Sequence, residues 1–208
     1  MERMTLKEFK ESSNIEIIES IMKVNNGYVT SKVLSNLGIH RNYLNIMMKK
    51  GIIERVGNGI YIDSSKIEDN YYVFGLSMPN IIYSHMTALY FYGLSIKAPN
   101  DVYDITVRRN YNSIHLKKHD VFYVSDDIFE LGLTEVETPM GNKVKAYDVE
   151  RCICDIIRSR NRMDLEHVKY SVREYVKRKD KDLVKLSNYA SKMGIVDEVM
   201  SYMEVYYE

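Results

Sequence analysis

Polar side chains of the kinds that read DNA recur at helical spacing between residues 40 and 50. They are His40, Arg41, Asn42, Asn45, Lys49 and Lys50. Leu44, Met47 and Met48 fall on the opposite side of a helix, where they would face a core. Arginine binds guanine and asparagine binds adenine through paired hydrogen bonds, while lysine neutralises phosphates. The spacing therefore predicts a helix that buries an apolar stripe and presents a face suited to double-stranded DNA.

A second helix is predicted immediately before this one. Thr30 has the side-chain oxygen that an N-cap needs. Val33, Leu34 and Leu37 recur at helical spacing on one face of this helix. Gly38 permits a tight turn between the two helices. Together the two segments predict a helix-turn-helix whose second helix, beginning at His40, lies in the major groove.

Two short strands are predicted after the second helix. Residues 52–56 and 59–62 alternate in hydropathy, and Gly57-Asn58 between them is a strong hairpin signal. Arg55 and Asn58 are predicted to contact a flanking phosphate or the minor groove from this hairpin. An amphipathic helix over residues 14–24 would complete a three-helix core. The pattern is typical of a winged helix-turn-helix, which predicts an N-terminal domain over residues 1–66.

Charge is distributed unevenly along the chain. The whole sequence has 29 basic and 29 acidic residues, but residues 20–62 contain six basic residues and one acid, Glu54, a net charge of +5. Such an excess is what nucleic-acid binding needs. Winged helices also serve as protein-docking modules, so a purely structural or protein-binding role is the alternative.

Composition and cysteine spacing limit the remaining classes. The 208 residues, 45% hydrophobic and 28% charged, are sufficient for two small globular domains. We find neither a long apolar run nor a signal-peptide pattern and expect a cytoplasmic protein. Cys152 and Cys154 would diverge by about 200° on a helix, so a disulfide is not expected. His167 is the nearest downstream histidine, and no metal or cofactor is expected.

Residues 67–208 are predicted to form an α+β domain, a small sheet followed by a C-terminal helical bundle. A helix is expected to end before Pro79, and the polar stretch before that helix predicts the domain boundary. Ser84 is placed as the N-cap of the next helix, where His85 and Thr87 would either bind an anion or, as we favour, satisfy backbone groups. The predicted strands are 81–83, 102–107, 121–124, 133–138 and 143–146. Asp148 is predicted to cap a helix that turns Val149, Cys152, Ile153, Ile156 and Ile157 inward. Three later helices are predicted over 165–179, 183–193 and 195–206.

Three short motifs behind the winged helix resemble the AbiEi family, antitoxins of type IV toxin–antitoxin (abortive infection) systems. The motifs are Ser84–Leu89 with Gly93-Leu94, Thr138-Pro139-Met140-Gly141, and Glu150–Asp155 continuing to Arg158. The resemblance covers most of the chain. One departure is Cys152, where the family often has threonine. The resemblance implies an autorepressor that binds inverted repeats in its own promoter. It also implies a second domain that counteracts a nucleotidyltransferase-like toxin, with or without a stable complex.

Further hypotheses concern the second domain. The basic residues Lys143, Lys145, Arg158 and Arg160 are predicted to form a surface that meets the toxin or its nucleic-acid substrate. Arg151 and Asp155, four residues apart, are expected to form a structural ion pair. Asp104 and Glu137 with Lys143 or Lys145 are ordered as in a metal-dependent nuclease, but their spacing is loose and no catalytic residue is assigned. The other alternative is a stand-alone winged-helix regulator with a sensor domain.

Overall fold

The computed structural model of the protein describes residues 6–207 as a mixed α+β chain. By its contacts the chain divides into unit 1, ending at Pro79, and unit 2, beginning at Asn80. The sequence placed this boundary at residues 66/67. Within the described range, every helix is too short or too polar to cross a lipid bilayer.

Over residues 6–79, unit 1 combines four helices with a three-stranded antiparallel sheet. In chain order these elements are α1 (Leu6–Val24), β1 (Tyr28–Thr30), α2 (Ser31–Asn36), α3 (Asn42–Lys49), β2 (Ile53–Gly57), β3 (Ile60–Asp63) and α4 (Asn70–Ser77). The strand order is β1-β3-β2. One core cluster lies between α1, α2, α3 and the sheet, around Ile18, Leu34, Leu44 and Met47. The sequence did not predict β1, because three residues are too few to show alternation.

The N-cap of α2 is the one predicted: the Thr30 side chain accepts a hydrogen bond from the backbone N–H of Val33. Of the three apolar residues expected on one face, Leu34 is fully buried, whereas Val33 and Leu37 are 39% and 57% exposed. The helix is only six residues long, and Leu37 is already its C-cap with φ −90°. A single inward leucine therefore anchors α2.

Helix α4 belongs to unit 1 because it covers the sheet. Asp69 caps the helix by accepting hydrogen bonds from the N–H groups of Tyr71 and Tyr72. The backbone N–H of Asp69 donates to the hydroxyl of Tyr28 in β1 at 2.7 Å. Val73 then packs with Tyr28, Ile60 and Ile62 in a second apolar cluster. Residues 67–79 are thus part of the same folding unit as the hairpin.

Unit 2 is a five-stranded mixed sheet with helices. Its elements are β4 (Ile82–Tyr83), α5 (His85–Phe91), β5 (Asp104–Arg108), a 3₁₀ helix (Ile114–Lys118), β6 (Asp120–Val124), α6 (Asp126–Phe129), β7 (Leu133–Glu137), β8 (Lys143–Tyr147), α7 (Val149–Arg158), a 3₁₀ turn (Arg160–Arg162), α8 (Leu165–Lys177), α9 (Leu183–Met193) and α10 (Val196–Tyr207). The strand order is β6-β5-β4-β8-β7, with β5–β6 and β4–β8 parallel. All five strands were predicted.

Helix α7 is the central helix of unit 2. The Asp148 side chain caps it, as predicted, by accepting from the N–H of Arg151. Every residue from Val149 to Ile157 is buried, and the helix contacts α5, α8, α9 and α10. Both cysteines are free and fully buried, and burial raises the pKa of each thiol. They are packing residues of this helix.

Candidate functional site

The exposed face of α3 contains most of the predicted DNA-binding residues. Asn42, Asn45 and Lys49 are exposed and lie three and four residues apart, which places them on one side of the helix. Leu44 and Met47 on the opposite side are fully buried. Lys50 is also exposed, at the C-cap. The polar face is therefore held outward by a fixed apolar anchor.

His40 and Arg41 precede this helix rather than starting it. The prediction that the helix begins at His40 is two residues too early, because Arg41 occupies the N-cap position. The ring Nδ1 of His40 accepts the backbone N–H of Asn42 at 3.2 Å. A neutral imidazole with an accepting Nδ1 carries its proton on Nε2, which is then a donor. Both residues are exposed beside the first turn of α3.

The β2–β3 hairpin places Arg55 and Asn58 together. Strand β2 continues through Gly57, so the turn is Asn58-Gly59 rather than the predicted Gly57-Asn58. Gly59 has φ +69°, a left-handed conformation that glycine adopts without strain. A bulge between Arg55 and Gly57 shifts the register by one residue. Arg55 Nη2 donates to Asn58 Oδ1 at 3.2 Å, and both side chains are exposed.

The four basic residues predicted as an antitoxin surface have different surroundings. Lys143 and Lys145 are exposed on β8, directly across from Glu137 and Glu135 of β7. Cross-strand carboxylates at these positions offset the lysine charge. Arg158 is exposed at the end of α7, whereas Arg160 donates to the Ile157 carbonyl. The sequence analysis did not derive the register of the β7–β8 hairpin, which pairs residues only six and ten positions apart.

The residues proposed for a metal-dependent nuclease are not brought together. Asp104 starts β5 and Glu137 ends β7, and two strands lie between them in the sheet. Three strand spacings amount to roughly 14 Å, too far for two carboxylates to share one metal ion. The geometry gives no support to this alternative.

A buried polar network surrounds the first turn of α5. Thr106 donates its hydroxyl hydrogen to Ser84 Oγ at 2.8 Å, and Ser84 Oγ lies 2.9 Å from His85 Nδ1. His85 Nε2 lies 3.0 Å from Ser159 Oγ. A neutral imidazole protonated on Nε2 satisfies this chain of contacts. Burial lowers the pKa of His85, and three nearby arginines lower it further. The favoured prediction holds for Thr87, whose hydroxyl oxygen accepts the backbone N–H of Asp104. His85 contacts the hydroxyls of Ser84 and Ser159 and not the predicted backbone groups, and Ser84 occupies the N-cap position without capping through its side chain.

Beside this network is a polar cleft of about 250 Å³ that the sequence analysis missed. Asp104 and Asp120 are partners in the parallel β5–β6 register and both line it, together with Arg162, Asp164 and His167. Asp104 Oδ2 accepts the backbone N–H of Met86 at 2.9 Å. Burial, with a contribution from Asp120, raises the pKa of Asp104 to about 7. No local sequence signal links these residues, since the sheet and α8 bring them together.

The predicted ion pair of Arg151 and Asp155 is confirmed. Arg151 Nε lies 3.0 Å from Asp155 Oδ1, and the arginine side chain is fully buried. Its Nη1 also donates to the carbonyls of Ile128 and Leu131. The guanidinium lies over the Tyr147 ring. One arginine therefore ties α7 to the segment between β6 and β7.

Comparison with known proteins supports only the architecture. No family model and no curated protein matches the chain. Among solved structures, the RV2827C protein from Mycobacterium tuberculosis is similar, with a TM-score of 0.57 and 10% sequence identity over 94% of this chain and 81% of that chain. At this identity the likeness is one of fold. The protein is accordingly a mixed α+β chain of two units that shares its fold with that mycobacterial protein.

Proposed function

We propose that unit 1 is a winged helix-turn-helix that binds double-stranded DNA, with α3 in the major groove. The observation that carries this proposal is the exposed face of Asn42, Asn45 and Lys49 opposite the fully buried Leu44 and Met47. Asparagine and arginine side chains at such a helix can read base edges, while lysines at its C-terminal end neutralise phosphates. The β2–β3 hairpin supplies the wing, with Arg55 and Asn58 exposed near its turn.

We further propose that the chain is an autorepressing antitoxin of the AbiEi type. The support is the order of the three motifs in the sequence, each of which has a defined structural place in unit 2. The first lies in the Ser84–His85 network, the second in the β7–β8 turn and the third in the buried helix α7. The operator would be an inverted repeat bound by two protomers, one per half-site. The functional partner would be a nucleotidyltransferase-like toxin.

Binding of the full-length chain to its own promoter tests the DNA proposal. Arg41→Ala or Asn45→Ala should weaken binding by about 1–3 kcal/mol and relax base preference, because base-edge contacts carry specificity. Lys49→Ala should weaken binding to all sequences alike and lower the salt slope by about 1. If the chain bound no promoter fragment at low salt, the repressor proposal would fail.

A second candidate is a stand-alone regulator whose unit 2 senses a small ligand. The polar cleft lined by Asp104 and Asp120 is the observation in its favour. The adjacent reading frame separates the two candidates. A neighbouring nucleotidyltransferase favours the antitoxin, and an isolated gene favours the sensor.

A further inference from the structure

Arg55 holds the β2 side of the hairpin turn through two hydrogen bonds. Its Nε donates to the Gly57 carbonyl at 3.0 Å, and its Nη2 donates to Asn58 Oδ1 at 3.2 Å. The planar guanidinium makes both bonds at once, which a lysine ammonium on its flexible stem cannot reproduce. The two acceptors are a backbone carbonyl just before the turn and a side chain within it.

The other side of the turn is fixed by α2. The backbone N–H of Ser31 donates to the Gly59 carbonyl at 2.8 Å. A Cβ added to Gly59 would lie 3.2 Å from the Ser31 hydroxyl oxygen, so the turn and the start of α2 are in close contact. The turn Asn58-Gly59 is thus held from the β2 side by Arg55 and from α2 by Ser31.

This arrangement determines which part of the Asn58 amide is available. Because Oδ1 accepts from Arg55, the NH₂ group of Asn58 is the end left for an external ligand. An NH₂ group is a donor only. It matches the acceptor-only phosphate oxygens of DNA and the acceptors at the floor of the minor groove.

We propose that Arg55 is a positioning residue, which fixes the hairpin turn and orients the Asn58 amide so that its NH₂ group meets an acceptor on DNA. This inference rests on the proposed DNA binding of unit 1. It differs from a direct phosphate contact by Arg55, in which the guanidinium would act through its charge.

Salt-dependent binding of the full-length chain to its promoter duplex distinguishes the two roles. A positioning role predicts that Arg55→Ala and Arg55→Lys both bind about tenfold more weakly, because fewer molecules have the competent turn. The salt slope of Arg55→Ala should stay that of the wild type, whereas the control Lys49→Ala lowers it by about 1. If Arg55→Lys bound like the wild type and Arg55→Ala lowered the slope by about 1, the positioning role would be overturned.

Hydrogen exchange of the Ser31 amide tests the same role without DNA. In the free full-length chain, Arg55→Ala should accelerate this exchange about tenfold, because the bond to Gly59 depends on the turn. Asn58→Asp keeps an acceptor for Arg55 and should leave the exchange unchanged, yet it should weaken promoter binding at least tenfold, because the donor is lost and the new carboxylate repels phosphate. Unchanged exchange in Arg55→Ala would overturn the inference. The exchange measurement needs no DNA. If the wild-type chain failed to bind its promoter, the proposed function would fail, and the exchange of the Ser31 amide would still decide whether Arg55 fixes the turn.

Discussion

At the scale of single residues, polar side chains in the interior of unit 2 lower the free energy of unfolding through backbone strain or loss of hydration. His85 has φ +47°, a left-handed conformation that costs a non-glycine residue roughly 1–2 kcal/mol. The contacts of its two ring nitrogens with Ser84 Oγ and Ser159 Oγ hold the imidazole in place. The ring also stacks on Phe122, with the two ring centroids 3.4 Å apart. Asp104 is only partly buried, but desolvation and the neighbouring Asp120 oppose its ionisation. These residues stabilise one arrangement of α5, β5 and β6 at the expense of total stability.

Replacing Asp104 with asparagine should stabilise the protein near neutral pH. A carboxyl with a pKa of about 7 when folded and 3.8 when unfolded binds more protons in the folded state between those values. Its contribution is therefore most favourable below pH 4 and is lost as the pH rises to 7. The amide oxygen of the asparagine would still accept the Met86 N–H, so we expect a gain of about 1–4 kcal/mol at pH 8.

The gain from Asp104→Asn should shrink as the pH falls towards 5. Thermal unfolding of the variant and the wild type from pH 5 to 8 measures this gain. The contributions of the other titrating groups cancel in the difference between the two free energies of unfolding. A constant difference across this range would show that the Asp104 carboxyl is not perturbed. Asp164→Asn is the matched control, since Asp164 lines the same cleft but is exposed.

At the scale of elements, several long periodic patterns were predicted well, although α1 begins at Leu6 and not at the predicted residue 14, and the two-residue strand β4 was predicted. Helix α9 was predicted with its observed bounds, and α7 with its cap and its buried residues, because several turns of repeated hydropathy specify a helix. Strand β1 and helix α6 were missed, since three or four residues show no period. The exposed face of α3 was predicted for the same reason as α9. The cleft at Asp104 was not, because it depends on pairing between distant strands.

Asp69 should matter for unit 1, although it lies beyond the predicted domain boundary. Asp69→Ala would remove the cap of α4, at a cost of about 1–2 kcal/mol, and loosen the helix that covers Tyr28, Ile60 and Ile62. Backbone amides of β3 should then exchange faster. Asp164→Ala, which uncaps α8 in unit 2, should leave β3 unchanged. Equal exchange of β3 in Asp69→Ala and the wild type would place α4 outside the folding unit.

At the scale of the whole molecule, the chain combines a basic unit 1 segment with an overall charge of zero. The excess of +5 over residues 20–62 is therefore compensated elsewhere in the sequence. Unit 1 as a whole has ten basic and nine acidic residues, so DNA would be attracted by the local charge of residues 20–62 and not by the net charge of the unit. If repression and antitoxin action belong to different units, they should be separable by mutation.

We therefore expect two sets of variants with opposite effects. Arg41→Ala with Asn45→Ala should release a reporter driven by the chain's own promoter and still protect cells that express the toxin.

Arg158→Ala with Lys145→Ala should lose protection while melting normally and repressing normally, because both side chains are exposed. The matched control is Lys177→Ala with Lys179→Ala, which removes two exposed charges from the end of α8 and the residues after it. Because Glu135 lies across from Lys145, Glu135→Ala should strengthen any contact that Lys145 makes with an anionic partner. Full protection by the Arg158 and Lys145 double variant would move the antitoxin contact away from this surface.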